Sequence, residues 1–205
     1  MELTKAQILK TIHEEVQRCE RCPLHQGRTH AVPGDGPADA EIVFIGEAPG
    51  FHEDQKGVPF VGAAGKLLNK LLEQAGIDRQ RVYITNVIKC RPPGNRDPQP
   101  EEVAACKDYL TRQIELIHPR VIVTLGRHSM ARAFPGDKIS LIHGQPRQIN
   151  DLIYFPMYHP AAALHQPSLR GTLEEDFRKL RELLDGNLRA EEYQVQPDVE
   201  QLSLF

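Results

Sequence analysis

Four short runs rich in β-branched and aromatic residues recur along the chain: "EIVFIG" at 41–46, "RVYITNV" at 81–87, "RVIVTLG" at 120–126 and "LIYFPM" at 152–157. A strand with one face in water alternates apolar and polar residues. These runs are nearly continuous in apolar residues, so both faces are covered and the sheet they build is mainly parallel. Helical patterns lie between them. "GAAGKLLNKLLEQAG" places Leu67, Leu68, Leu71, Leu72 and Ala75 on one face, with Gly76 as a C-terminal stop. "PEEVAACKDYLTRQIELIHP" opens on Pro100 and two glutamates, as the positive end of a helix favours, and turns Val103, Cys106, Leu110, Ile114 and Ile117 inward. An N-terminal helix starts at a capping box, Thr4 with Gln7, and continues through Ile8, Ile12 and Val16 toward Cys19. "GRHSMARAF" gives a short helix after the third run and 170–190 a charged amphipathic one after the fourth. The alternation predicts a three-layer α/β/α sandwich around a four-stranded, mainly parallel sheet.

At 205 residues, 40% hydrophobic and 26% charged, the chain suits one soluble domain with a proper core. It has no apolar run of membrane-span length, and "MELTKAQILKTIHEEV" lacks the layout of a secretory or transit peptide. A cytoplasmic address follows, where thiols stay reduced. The net charge of −3 comes from the end of the chain: residues 191–205 hold four of the 28 acids and no Lys or Arg, leaving 25 bases against 24 acids in the body. Residues 1–190 therefore read as the domain and 191–205 as a flexible acidic tail.

In open parallel sheets the ligand site lies beyond the carboxyl ends of the strands. "GEAPGFHEDQKGVPFVG", "NVIKCRPPGNRDP" and "HPAAALHQPS" leave those ends and should hold the chemistry. The four cysteines are placed where they could meet: Cys19 and Cys22 in "CERCP" at the end of the first helix, Cys90 after the second strand, and Cys106 on the inner face of the next helix. Spacing alone leaves zinc and a [4Fe–4S] cluster both open.

"GEAPGFHEDQKGVPFVGAAGKLLN", "YITNVIKCRPPGNRDPQPEE" and "FPMYHPAAALHQP" closely resemble the family 4 uracil-DNA glycosylases, and the likeness spans about residues 8–185. The resemblance implies that Cys19, Cys22, Cys90 and Cys106 hold a structural [4Fe–4S] cluster. It also implies that Phe60 is the floor on which a flipped base stacks. By pattern alone Phe60 would be a core residue and Asn86 a turn former. Asn86 carries one donor and one acceptor that can meet uracil O4 and N3–H together, the reverse of what cytosine presents. His159 is the candidate donor to uracil O2 as negative charge develops there. Gly46, with Gly50, permits close backbone approach.

Family 1 enzymes carry an aspartate in place of Ala48, so the group that orients water falls to Glu47, Glu53 or Asp54, with Glu47 ahead. Leu164 is the candidate wedge into the duplex. His165 stands where relatives often have arginine, and Arg91, Arg96, Lys66 and Arg170 are candidate phosphate contacts. "CRPPGNRDP" lacks the long basic insertion by which a related group traps DNA covalently, and no lysine stands out as a Schiff-base nucleophile. The expectation is a monomeric, monofunctional hydrolase of uracil-containing DNA; the alternative is a non-catalytic, zinc-clipped nucleic-acid-binding module. Last, "QLSLF" (Gln201–Phe205) resembles the pentapeptide by which bacterial repair proteins dock on the sliding clamp.

Overall fold

The computed structural model describes residues 2–193. Helix α1 (Lys5–Gln17) begins at the reciprocal cap formed by Thr4 and Gln7 and buries Leu9, Ile12 and Val16. There follow β1 (Ile42–Gly46), α2 (Phe51–Lys56), α3 (Ala63–Gln74), β2 (Val82–Asn86), α4 (Pro100–Ile117) and β3 (Val121–Leu125). The chain continues through α5 (Arg127–Ala133), α6 (Ile139–Ile142), β4 (Arg147–Ile149), β5 (Leu152–Met157), α7 (Pro160–His165), α8 (Leu169–Leu184) and β6 (Glu191–Glu192).

The strands form one sheet in the order β2-β1-β3-β5-β4-β6. The four expected strands are its parallel centre. The sheet has six strands rather than four, because β4 pairs antiparallel with β5 and the two-residue β6 pairs with β4. Neither addition carries an apolar signature: of "RQI" only Ile149 is buried, and both residues of β6 are exposed. The hairpin instead depends on the turn at Asn150, whose φ of 53° suits asparagine. Tyr193 then packs edge-on against Phe134, with centroids 4.9 Å apart. Residues 191–193, assigned by composition to the tail, are thus attached to the body. The Gln201–Phe205 motif lies outside the described residues.

Alternate residues of the central strands feed two cores, as the two-residue period of a strand requires. Val43, Ile45, Tyr83 and Ile122 join Ile12, Val16, Leu110 and Ile114 under α1 and α4. Ile42, Phe44, Ile84 and Val123 join Leu68, Leu71, Phe177 and Leu180 under α3 and α8. The result is three layers. Because β1 and β2 run in register, Gly46 lies beside Asn86, and the loops after β1, β2 and β5 all emerge at one edge.

Candidate active site

At that edge a cavity of about 390 Å³ is lined by Glu47, Ala48, Gly50, Glu53, Phe60, Asn86, Asn95, Arg96 and His159, among others. Three glycines have conformational or steric reasons to be there. Phe60 adopts φ 53°, a left-handed conformation costly for an aromatic residue. A Cβ on Gly65 would stand 1.6 Å from the Phe60 carbonyl oxygen, so only glycine lets α3 begin against this turn. A Cβ on Gly46 would meet Asn86 Oδ1 at 2.3 Å and the Phe60 ring at 3.0 Å. Gly126, with φ 90°, lets the loop after β3 run past His159.

Asn86 is 2% exposed, and its Oδ1 has no hydrogen-bond partner among the described residues. Buried polar atoms are normally paired, so this one marks a place for a donor. Behind it, Lys89 Nζ donates to the Asn86 carbonyl at 2.9 Å, to Thr85 Oγ1 at 2.6 Å and to Gln113 Oε1 at 2.8 Å. This fully buried ammonium, its pKa pushed down to about 7 by desolvation, pins the end of β2. No sequence pattern points to this role.

His159 caps α7, its Nδ1 accepting from the Ala161 backbone N–H at 3.1 Å. A backbone amide can only donate, so Nδ1 carries the lone pair and Nε2 the proton. Burial lowers the pKa of the ring to about 4, against a smaller upward pull from Glu53. The imidazole is therefore neutral at ordinary pH. Its ring lies 5.5 Å from that of Phe60, inclined by 26°.

The carboxylates part company. Glu53 Oε1 accepts from Val61 N at 2.9 Å and Gly62 N at 2.8 Å, clamping the turn before α3. Asp54 is not a solvated loop residue: it is 2% exposed and accepts from Thr29 N at 2.9 Å, outside the cavity lining. Glu47 is half-buried with its pKa raised, first by desolvation, with Asp97 adding to it and His128 and Arg127 opposing. Glu47, Asp97 and His128 hold three ligand-type atoms within 4.8 Å of one another. Arg127 already supplies positive charge there, donating to Asp97 Oδ2 at 2.8 Å.

The cavity thus brings together Glu47, Ala48, Glu53, Phe60, Asn86 and His159, with Gly46 behind them. Leu164 (47% exposed) and His165 lie beyond it on α7, and Arg170 lies on the first turn of α8, where it pairs with Glu174. Arg91 donates to Asn95 Oδ1 at 2.7 Å and lies over the Phe51 ring. Arg96 lines the cavity but is held by the buried Glu102. Lys66 is exposed on the first turn of α3.

All four cysteines line one small second cavity with Arg28, Lys89 and Tyr109. None of them is joined in a disulfide. Arg28 Nη1 donates to Cys19 O at 2.7 Å and to Cys90 Sγ at 3.3 Å. Burial raises the thiol pKa values of Cys90 and of Cys106, the latter to about 11. Such a donor set, backed by a guanidinium, fits a cationic metal centre that draws the sulfurs to thiolates.

The fold, the strand-edge cavity and the thiol cluster define an α/β protein with a pocket at the strand ends and a separate cluster of four cysteines. The family model for the Uracil DNA glycosylase superfamily matches residues 33–185. The chain is 52% identical over 185 residues to the type-4 uracil-DNA glycosylase of Sulfurisphaera tokodaii, covering 85% of this chain and 84% of that one. It is 50% identical over 188 residues to the type-4 enzyme of Saccharolobus solfataricus, covering 87% of each. Against a type-5 uracil-DNA glycosylase of Thermus thermophilus the match shrinks to 111 residues at 38%, covering 47% of this chain and 50% of that one. The chain belongs to the uracil DNA glycosylase superfamily, on its type-4 branch. Among the described residues no helix is long and apolar enough to cross a membrane.

Proposed function

We propose that this chain excises uracil from DNA by hydrolysis, leaving an abasic site. The observation that carries the reading is Asn86, whose side chain lines the same cavity as Phe60 and His159 and whose Oδ1 is buried without a partner among the described residues. Swinging a nucleotide out of the duplex costs a few kcal/mol, and stacking on Phe60 returns about 1–3 of them. Asn86 Oδ1 accepts from uracil N3–H while its Nδ2 donates to O4. Cytosine offers a lone pair at N3 and an amino group at C4, so both contacts turn repulsive.

As the bond from C1′ to N1 lengthens, negative charge gathers on O2. The Nε2–H of His159 donates to it. A neutral donor suits this task, since it stabilises the anion without surrendering a proton. Glu47 orients water toward C1′ and steadies the cationic sugar, a task Ala48 cannot perform. Glu53 serves by holding the turn that carries Phe60. Leu164 and His165 enter the groove, and Arg91, Arg170 and Lys66 meet phosphates. Lys89 lines the cysteine cavity rather than the active cavity, which supports simple hydrolysis without a Schiff base. The enzyme acts as a monomer in the cytoplasm, and Gln201–Phe205 docks on the sliding clamp, a reading that rests on sequence alone.

Cys19, Cys22, Cys90 and Cys106 hold a [4Fe–4S] cluster that ties α1 and the loop after β2 to α4. A single zinc, about 2.3 Å from each sulfur, would gather its ligands within about 4 Å of one another. The likeness of the four cysteine positions to the family 4 pattern supports the larger centre. The test is release of free uracil from a uracil-containing oligonucleotide by the wild type and by Asn86→Ala and Phe60→Ala. Release lost in both variants is the expected result; full release in both would overturn the site. Colourless protein binding zinc without iron would favour the non-catalytic module.

A further inference from the structure

Glu47 follows the last residue of β1, yet what faces its carboxylate comes from elsewhere. His128, in the first turn of α5, brings Nε2 to 3.7 Å from Glu47 Oε2. The same nitrogen lies 3.1 Å from Asp97 Oδ2, in the loop after β2. Arg127 completes the group: its Nη2 donates to Asp97 Oδ2 at 2.8 Å and its Nε points at His128 Nε2 at 3.0 Å. One ring nitrogen is thus approached from both sides. With a lone pair it accepts from Arg127; with a proton it donates to the carboxylates. Glu47 itself makes no side-chain hydrogen bond to the protein among the described residues, and the ion pair that meets its carboxylate is the one with His128.

We propose that His128 is a positioning residue for Glu47, keeping its carboxylate ionised and turned toward the reacting sugar. The inference rests on the role given to Glu47 above. Two carboxylates, Glu47 from the cavity wall and Asp97 from outside its lining, converge on the His128 ring, and burial disfavours charge on Glu47 further. The imidazole stands between them and answers both, while Arg127 holds Asp97 and so the ring. The other charged groups near the cavity are committed: Arg96 to Glu102, and Glu53 to the Val61–Gly62 amides. His159 is neutral. Neither His128 nor Arg127 lines the cavity itself, yet among the described residues these are the basic side chains that oppose burial at Glu47.

The sign is fixed by this arrangement. Without the ring, burial and Asp97 raise the Glu47 pKa with less opposition, so the carboxylate protonates at a higher pH. The acidic limb of the excision rate moves upward in pH. Binding of DNA, which His128 does not touch in this account, stays as it was.

The experiment is single-turnover excision from a saturating uracil oligonucleotide, measured from pH 5 to 9, for the wild type, His128→Ala, His128→Gln, Glu47→Gln and the Glu47→Gln/His128→Ala double variant. His128→Ala is expected to slow excision about tenfold near pH 6 and less near pH 8, within the range of a lost charge-assisted contact. Oligonucleotide affinity should change less than about twofold, and His128→Gln, which keeps a donor, should recover most of the rate. The double variant should be no slower than Glu47→Gln alone. An unmoved acidic limb in His128→Ala, or losses that multiply in the double variant, would overturn the inference while leaving Glu47 in place. A fully active Glu47→Gln would instead remove the reading of Glu47, and this inference with it.

Discussion

Gly46 and Asn86 are direct partners across β1 and β2, and the glycine Cα lies so near the amide that a methyl group there would stand 2.3 Å from Asn86 Oδ1. The Asn86 amide keeps its position only because its neighbour has no side chain. Gly46→Ala should therefore lower excision at least about a hundredfold by displacing Asn86 and Phe60, in line with the loss of a reading contact and a stacking platform. The fold should survive, since the displaced groups border a cavity. Oligonucleotide turnover beside a thermal melt checks this.

Asn86→Asp reverses the hydrogen-bonding pattern at one atom. A carboxylate offers no donor to O4, so uracil excision should fall sharply. Its protonated form presents an O–H that matches the N3 lone pair of cytosine. Release of cytosine should become measurable at acidic pH and vanish at neutral pH. Paired assays on uracil and cytosine oligonucleotides at two pH values decide it.

His159→Ala should cost about 10²–10³ in the excision step, as removal of one oxyanion donor does. The loss should be the same at pH 6 and pH 8, because burial holds the ring's pKa near 4 and it is neutral at both. A deficit present at pH 6 and absent at pH 8 would mean that an imidazolium does the work.

Stability carries a second signature of buried imidazole. His13, whose Nε2 lies 2.8 Å from the Tyr83 hydroxyl oxygen, has its pKa lowered to about 4 by burial, as His159 does. Both bind protons more readily when unfolded, so their contribution is complete above about pH 6.5 and is lost as pH falls toward 4. The melting temperature should drop across that window. His13→Gln should flatten the drop, as seen in melts at pH 7 and 5.

Under the cluster assignment proposed above, replacing Cys106 with serine should remove the broad absorbance at ~400 nm expected of iron–sulfur coordination and lower the melting temperature, because α1 would lose its tie to α4. The pocket residues are carried by other elements. Excision should fall through instability rather than through the chemical step, which single-turnover rates at low temperature can separate.

The centre of the fold was legible because each of its four strands is a continuous apolar run with both faces covered. β4 and β6 were not, since β4 has one buried residue, Ile149, and pairs by virtue of the Asn150 turn, while β6 is exposed and lies beside β4 where Tyr193 packs on Phe134. The cavity was legible through three loops and a family likeness. Its support was not. Asp54 looks like a charged loop residue until Thr29, 25 positions earlier, is seen donating to it. Lys89 reads as an ordinary surface lysine beside a cysteine, and its burial depends on Gln113 from α4. His128, inside an unremarked "GRHS", gains meaning only from Glu47 and Asp97, which no local pattern links to it.

The most direct test of the whole account is a crystal structure of the protein with an oligonucleotide whose uracil cannot leave, the sugar bearing a 2′-fluorine. The base should stack on Phe60, with N3 and O4 on the Asn86 amide and O2 on Nε2 of His159. A uracil seated elsewhere, or seated there with Asn86 turned from its edge, would contradict it.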